Sequence, residues 1–216
     1  MLSRLDQYLS EHFFPRATQP IALLGSSIGS WRMACYAQQD PLTTFKEFEQ
    51  LYINQRYSDT LIPAEISAYI EKVLAQLFSP ERAKYIVSNP LRKLHVVAVR
   101  NRKLLNGRSK LAQGFGLLSA AAGNIFSSKI VEALYPRVII SPQKSTTPYF
   151  IKSEAIELKT ENLSQSLIAS GAIPMVMAPT KVAGGKDRWH WDGGLVDYHF
   201  SGPFNAEDGL VFYPHF

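Results

Sequence analysis

One stretch limits what this chain can fold into more than any other: Ile21-Ala22-Leu23-Leu24-Gly25-Ser26-Ser27-Ile28-Gly29-Ser30. Four apolar residues run into Gly25-Ser26-Ser27-Ile28-Gly29, which reads G-x-S-x-G. The following Trp31-Arg32-Met33-Ala34-Cys35-Tyr36-Ala37 predicts a helix. A strand, a sharp turn and a helix are what a nucleophile elbow requires. A Cβ at Gly25 or at Gly29 is expected to crowd the neighbouring helix or strand, which small residues at both places would avoid. Ser27 then stands at the C-terminal end of the strand. The positive end of the helix dipole lies beside it, where a developing oxyanion is favoured. On the motif alone, a plain strand–turn–helix with small residues for packing remains the competing reading.

The flanking pattern predicts an α/β domain. Ser3 to Phe14 has helical spacing, with Leu5, Tyr8, Leu9 and Phe13 on one face. Thr43–Gln55 and Pro63–Phe78 predict further helices, the second with Ile66, Ile70, Val73, Leu74 and Leu77 inward and Pro63 at an early helical position. Ser79-Pro80-Glu81 opens a shorter helix that ends near Asn89-Pro90. Leu94–Val99 is a continuous apolar run of strand length, as in a sheet covered on both faces. Its His95 reads as structural. Arg137–Ile140, Ala155–Lys159, Arg188–Trp191 and Gly209–Phe212 predict strands, and Asn162–Ser170 a helix closing at Gly171. Strands alternating with helices make a largely parallel sheet the economical expectation.

At 216 residues the chain suits a single α/β domain over residues 1–216. Its net charge of +5 only weakly favours an anionic surface as partner. Its single cysteine, Cys35, excludes an internal disulfide and reads as a buried thiol. Residues 1–15 carry charges and no continuous apolar core, so no signal peptide is expected, and no run is long enough to span a bilayer. Arg100-Asn101-Arg102-Lys103 with Arg108 and Lys110 is a basic cluster, read either as a solvated loop or as a contact for anionic head groups. The adjoining Leu111–Tyr135 stretch carries no charge between Lys110 and Lys129, and reads as a buried connector or as a cap facing lipid.

A second place couples turn chemistry with an acid. Asp192-Gly193-Gly194 follows the Arg188–Trp191 strand, and two glycines permit a tight turn that fixes the carboxylate. Standing alone it would be an ordinary Asp-Gly turn. In sequence order, however, Gly25-Ser26-Ser27-Ile28-Gly29, Ala169-Ser170-Gly171-Ala172-Ile173-Pro174 and Asp192-Gly193-Gly194 resemble the patatin-like phospholipase family. That family carries a G-x-S-x-G elbow, an A-S-x-A-x-P segment and a D-G-G or D-G-A turn. The resemblance runs from about Pro20 to Val196.

The resemblance implies a three-layer α/β/α fold and a serine acyl-ester hydrolase of phospholipase or lysophospholipase type. It makes Ser27 the nucleophile and Asp192 the carboxylate of a Ser–Asp dyad. The backbone N–H of Ile28 becomes an oxyanion donor, and Gly25, Gly29, Gly193 and Gly194 the motif glycines. Lipid is the implied substrate, with no cofactor, metal or nucleic acid. The expected location is cytoplasmic with at most peripheral contact with an anionic membrane, and the oligomeric state is left open. The family's glycine-rich oxyanion loop has no counterpart between Met1 and Leu24, so the chain is expected to begin inside the family fold, without the first strand and its donor. A carboxylate near its reference pKa of ~4 is a poor base for an alcohol, so the pair needs a dry site that raises it. Two alternatives stay open: a Ser–His–Asp esterase using His199 or His190, and a family member that binds lipid without turnover. Trp189 and Trp191 flank the acid, either lining a cleft or packing under it.

Overall fold

The apolar run at 94–99 becomes the centre of the sheet. In the computed structural model, which describes residues 3–55, 62–101, 135–142, 148–149, 152–200, 202–204 and 209–214, β2 spans Arg92–Arg100 with 94–99 all buried. The basic cluster beyond Asn101 and the charge-poor stretch through residue 134 lie outside the described residues.

On one edge, β2 pairs in antiparallel fashion with β3 (Arg137–Ser141), and β3 pairs in parallel with β4 (Glu154–Glu157). The other edge is shared. Its first part pairs in parallel with β1 (Ile21–Ser26), the last match being Ser26 with Val97. Its second part pairs in antiparallel fashion with β6 (Trp189–Asp192), starting from Ala98 opposite Asp192. A short β5 (Thr180–Lys181) adds to β6. Two strands thus run toward each other along one edge of β2, and their C-terminal ends stop at consecutive β2 positions.

That meeting makes the β2–β6 pairing antiparallel, and the sheet is mixed rather than largely parallel as expected. β1–β2 and β3–β4 are parallel, and the β2–β3, β2–β6 and β5–β6 pairings are antiparallel. Two strands that stop tip to tip on one edge cannot both run parallel to their shared neighbour. The α/β class itself holds.

Side chains alternate across the sheet. Leu94, Val96 and Ala98 face the main core with Val138, Ile140 and Ile156. Against them pack α2 (Ile28–Tyr36), α3 (Pro41–Ile53), α4 (Pro63–Leu77), α5 (Pro80–Ser88) and α6 (Leu163–Ser170). On the opposite side, Val97 and Ile139 meet Tyr149, Phe200 and Phe204, while Val99 meets Trp191, Ala172 and the side chains of Leu195 and Val196 in α7 (Gly194–Asp197). None of the described helices is long and apolar enough to cross a membrane.

Local signals explain most element starts. The helix expected from Thr43 begins earlier: the Asp40 carboxylate accepts the Thr43 N–H at 3.0 Å, and Pro41 takes the first helical position of α3. Ser79 and Pro80 do the same for α5. The buried face of α4 is the predicted one: Ile66, Ile70, Val73, Leu74 and Leu77.

The N-terminal segment departs from expectation. After α1 (Ser3–Tyr8) the chain widens into a π turn at Leu9–Phe13 and tightens into a 3-10 turn at Phe14–Arg16. The buried face is Asp6, Ser10 and Phe14, while Tyr8 and Phe13 are 60% and 53% exposed. The cause is polar. Arg32 donates twice to the Asp6 carboxylate, at 3.0 and 2.5 Å, and the Tyr36 hydroxyl donates at 2.6 Å. A helix turned by an ion pair does not follow its hydrophobic stripe. The strand expected at Gly209–Phe212 is also absent; these residues are exposed and unpaired in any sheet.

Candidate active site

Ser27 sits between the last residue of β1 and the first of α2, with φ 54° and ψ −136°. Positive φ is unfavourable for any residue with a Cβ, and strain of this kind persists only where neighbours hold it. Ser30 holds it from one side: its N–H and its hydroxyl both donate to the Ser27 carbonyl, at 2.9 and 2.7 Å. From the other side, the Ser27 N–H donates to Ser170 Oγ at 3.0 Å.

The two elbow glycines are not equivalent. A Cβ on Gly25 would stand 2.6 Å from the Gly29 carbonyl group and the Ser30 Cα, because the first turn of α2 folds directly over the end of β1. A Cβ on Gly29 would meet nothing within 4 Å. The crowding expected at both positions exists only at Gly25; the Gly29 backbone supplies the crowding while its own side-chain direction is open.

Asp192 ends β6 one β2 position beyond the Ser26–Val97 match. Ser27 Oγ donates to its Oδ2 at 2.6 Å, and the Gly194 N–H donates to its Oδ1 at 2.6 Å. The Asp-Gly-Gly segment is a strand running straight into a helix rather than a reversing turn. Gly193 is the N-cap of α7 at φ −64°, a conformation open to any residue. What Gly193 supplies is space: a Cβ there would collide with the Val97 carbonyl oxygen and stand 2.6 Å from Ser26 Oγ. A Cβ on Gly194 would stand 2.9 Å from Asp192 Oδ1. Ser26 Oγ itself is buried with no hydrogen-bond partner among the described residues.

Asp192 is 5% exposed. Burial pushes its carboxyl up to about 6, against the opposing pull of the Ser27 and Gly194 hydrogen bonds. Ile28 opens α2 directly after Ser27, so its N–H belongs to the positive end of that helix.

The histidines lie elsewhere. His190 points into the packing around Gly185 on the β5 side, and burial pulls it down to about 4. His95 sits within β2, also held down to about 4 by burial. His199 is exposed, edge-on to the Tyr198 ring. The hydrogen bonds of Ser27 Oγ and of the Asp192 carboxylate are to each other and to Gly194, with no histidine among them. Trp191 packs under the site with Val99 and Ala172, while Trp189 is half-buried beneath the Lys181 ammonium. Cys35 is fully buried, and desolvation raises its thiol far above the usual range. Among the described residues no group of three or more His, Cys, Asp or Glu side chains converges as a metal site.

Sequence reasoning missed two supports. One is Ser170, present in the Ala169–Pro174 segment but given no role. The other is the ion pair between Arg137 of β3 and Asp197 of α7, with side chains 2% and 3% exposed. Arg137 also donates to the Lys152 carbonyl at 3.3 Å and lies over the Tyr149 ring. The only signal for Asp197 was its place in the turn of helix that follows Gly194; nothing local marked Arg137 as its partner.

The family model described as Patatin-like phospholipase matches residues 9–199. No curated protein and no solved structure matches the chain.

Proposed function

The chain belongs to the patatin-like phospholipase family, whose members hydrolyse lipid esters, and from that premise we propose that it is a lipid acyl hydrolase using Ser27 as nucleophile and Asp192 as its base. The observation that carries the reading is the 2.6 Å bond from Ser27 Oγ to Asp192 Oδ2 in a site dry enough to lift the carboxyl to about 6. A base nearer the working pH takes a hydroxyl proton more readily than an ordinary carboxylate.

On this reading the steps are these. Asp192 accepts the Ser27 proton as Oγ bonds to the ester carbonyl carbon, and negative charge moves to the carbonyl oxygen. The Ile28 N–H, at the helix N-terminus, stabilises that charge. The carbon–oxygen bond to the alcohol then breaks, and the proton on Asp192 goes to the leaving oxygen. Water, giving its proton to Asp192, attacks the acyl-enzyme and frees the acid. Ser27 recovers its proton from Asp192. A phospholipid or lysophospholipid is the proposed substrate, met in the cytoplasm or at a membrane surface.

A fluorophosphonate probe tests the nucleophile: it is expected to label Ser27, and labelling that persists in Ser27→Ala overturns the assignment. Asp192→Asn is expected to remove ester hydrolysis, with His190→Ala and His199→Ala keeping most of it. A loss of several orders of magnitude in either histidine variant would instead indicate a Ser–His–Asp enzyme. Labelling without turnover would indicate a lipid-binding member.

A further inference from the structure

Ser170 is the last residue of α6 and is fully buried. Its Oγ accepts the Ser27 N–H at 3.0 Å and donates to the Val97 carbonyl at 2.6 Å, while its own carbonyl accepts the Gly193 N–H at 3.3 Å. One residue therefore touches the elbow, the β2 position where β1 ends, and the backbone that follows Asp192. We propose that Ser170 is a positioning residue that holds the strained Ser27 backbone, and with it the line from Ser27 Oγ to Asp192, for the acyl-transfer step.

The inference rests on the reading of Ser27 as nucleophile, and its logic is mechanical. A backbone at φ 54° relaxes unless something outside the elbow restrains it. The Ser30 bonds restrain the Ser27 carbonyl, within the same turn; among the described residues, Ser170 alone reaches the Ser27 N–H from a different element. Because the Ser170 proton is committed to Val97, its oxygen lone pair is aimed at that N–H. The same bond occupies the Ser27 amide, which leaves the next amide, that of Ile28, for the developing oxyanion. A small displacement of Oγ from its base costs turnover rather than ground-state binding, of the order of 10²-fold for ~1 Å.

Ser166 supplies the internal control. It lies one turn earlier in α6, is equally buried, and donates its hydroxyl to the carbonyl of Asn162, the N-cap of the same helix, at 2.6 Å. A purely structural role for buried serine hydroxyls predicts the same outcome at both positions.

The experiment compares the parent with Ser170→Cys, Ser170→Thr and Ser166→Cys. Cysteine keeps the buried volume but replaces the oxygen with a weak acceptor, and threonine keeps the oxygen. Turnover is read on a soluble short-chain ester, and amide hydrogen exchange at Ser27 is read beside the slowest core amides. The expected result for Ser170→Cys is a kcat loss of about 10²-fold with KM within about twofold. Exchange at Ser27 is expected to rise by more than about tenfold over any change in the core amides, since the local restraint is lost without global unfolding. Ser170→Thr should recover much of both losses, and Ser166→Cys should show neither. Parental kcat and parental Ser27 protection in Ser170→Cys would overturn the proposal, as would an equal kcat loss in Ser166→Cys. If the parent hydrolyses no ester, the nucleophile reading fails, and the exchange measurement still decides the role of Ser170. Loss of Ser27 protection confined to Ser170→Cys supports it, and unchanged protection overturns it.

Discussion

Burial of Asp192 sets one group against both stability and pH. Its carboxyl moves from an ordinary 3.8 to about 6 on folding, so the folded state holds the proton more tightly than the unfolded chain between those values. Stability therefore falls as pH rises through that window. The shift of about two units corresponds to roughly 3 kcal/mol at pH 7, at ~1.4 kcal/mol per unit. Asp192→Asn carries no such cost. It is expected to be inactive yet more stable than the parent by up to ~3 kcal/mol at pH 7, with the difference shrinking to near zero by about pH 4. Urea denaturation of both proteins across that range checks it; a variant less stable at pH 7 would contradict it. Turnover by the parent should have an acid limb centred near 6, because the base must be ionised in the free enzyme. The motif glycines separate at the same scale. Gly25→Ala and Gly193→Ala put a Cβ into backbone atoms and should cost folding and activity together. Gly29→Ala enters open space inside α2 and should be neutral or stabilising by about 0.5–1 kcal/mol.

At the scale of elements, what was legible depended on whether the signal was local. The α4 stripe, the Ser79-Pro80 start, the Gly171 end of α6 and the apolar β2 are all written in contiguous residues, and each appears where it was expected, while α3 begins two residues before the expected Thr43, at Pro41. The strand ends at Ser26 and Asp192 are local in the same way, because a strand followed by small residues that begin a helix leaves a contiguous mark. The N-terminal face was misread because Asp6, Arg32 and Tyr36 form their cluster across about a turn of sequence in one helix and a different helix altogether. Strand direction was equally invisible: apolar content predicts burial, while parallel or antiparallel pairing depends on where the chain returns. The Arg137–Asp197 pair is the clearest case, joining β3 to α7 over 60 residues. Removing one partner of such a buried pair leaves the other charge uncompensated, typically at ~3–5 kcal/mol. Asp197→Asn is thus expected to destabilise the fold by about that amount and to loosen α7, whose Gly194 N–H holds Asp192. Replacing Arg137 and Asp197 together with apolar residues of similar volume should cost much less. Equal losses for the single and double changes, measured by denaturant unfolding, would show that the charge is not the issue.

For the whole molecule, the proposed function asks how a half-buried Ser27 and a buried Asp192 would meet a substrate that lives in aggregates. The chain leaves the site at Ala172, whose carbonyl accepts the Asp192 N–H at 3.0 Å, and returns to α4 at Ala178, whose N–H donates to Ser67 Oγ at 2.9 Å. Between them a turn exposes Ile173, Met175 and Val176 at 44%, 51% and 41%. Met175 adopts φ 69°, unusual for a residue with a Cβ. Three apolar tips on the segment that follows Ala172, which bonds Asp192, suit contact with acyl chains, each buried methylene contributing ~0.8 kcal/mol. We propose that the basic residues Arg102, Lys103, Arg108 and Lys110 attract anionic head groups, an attraction that salt screens within ~8–10 Å, whereas Arg100 is already paired with Glu154. The protein is therefore expected to sediment with anionic vesicles in preference to zwitterionic ones, less so at high salt. Ile173→Asp with Met175→Asp should weaken vesicle binding and hydrolysis of vesicle lipid by at least about tenfold. Turnover of a soluble short-chain ester should stay near that of the parent, because neither side chain bonds Ser27 or Asp192. Loss of both activities together would place the turn in the chemistry of the site. Unchanged vesicle binding would remove it from the lipid contact.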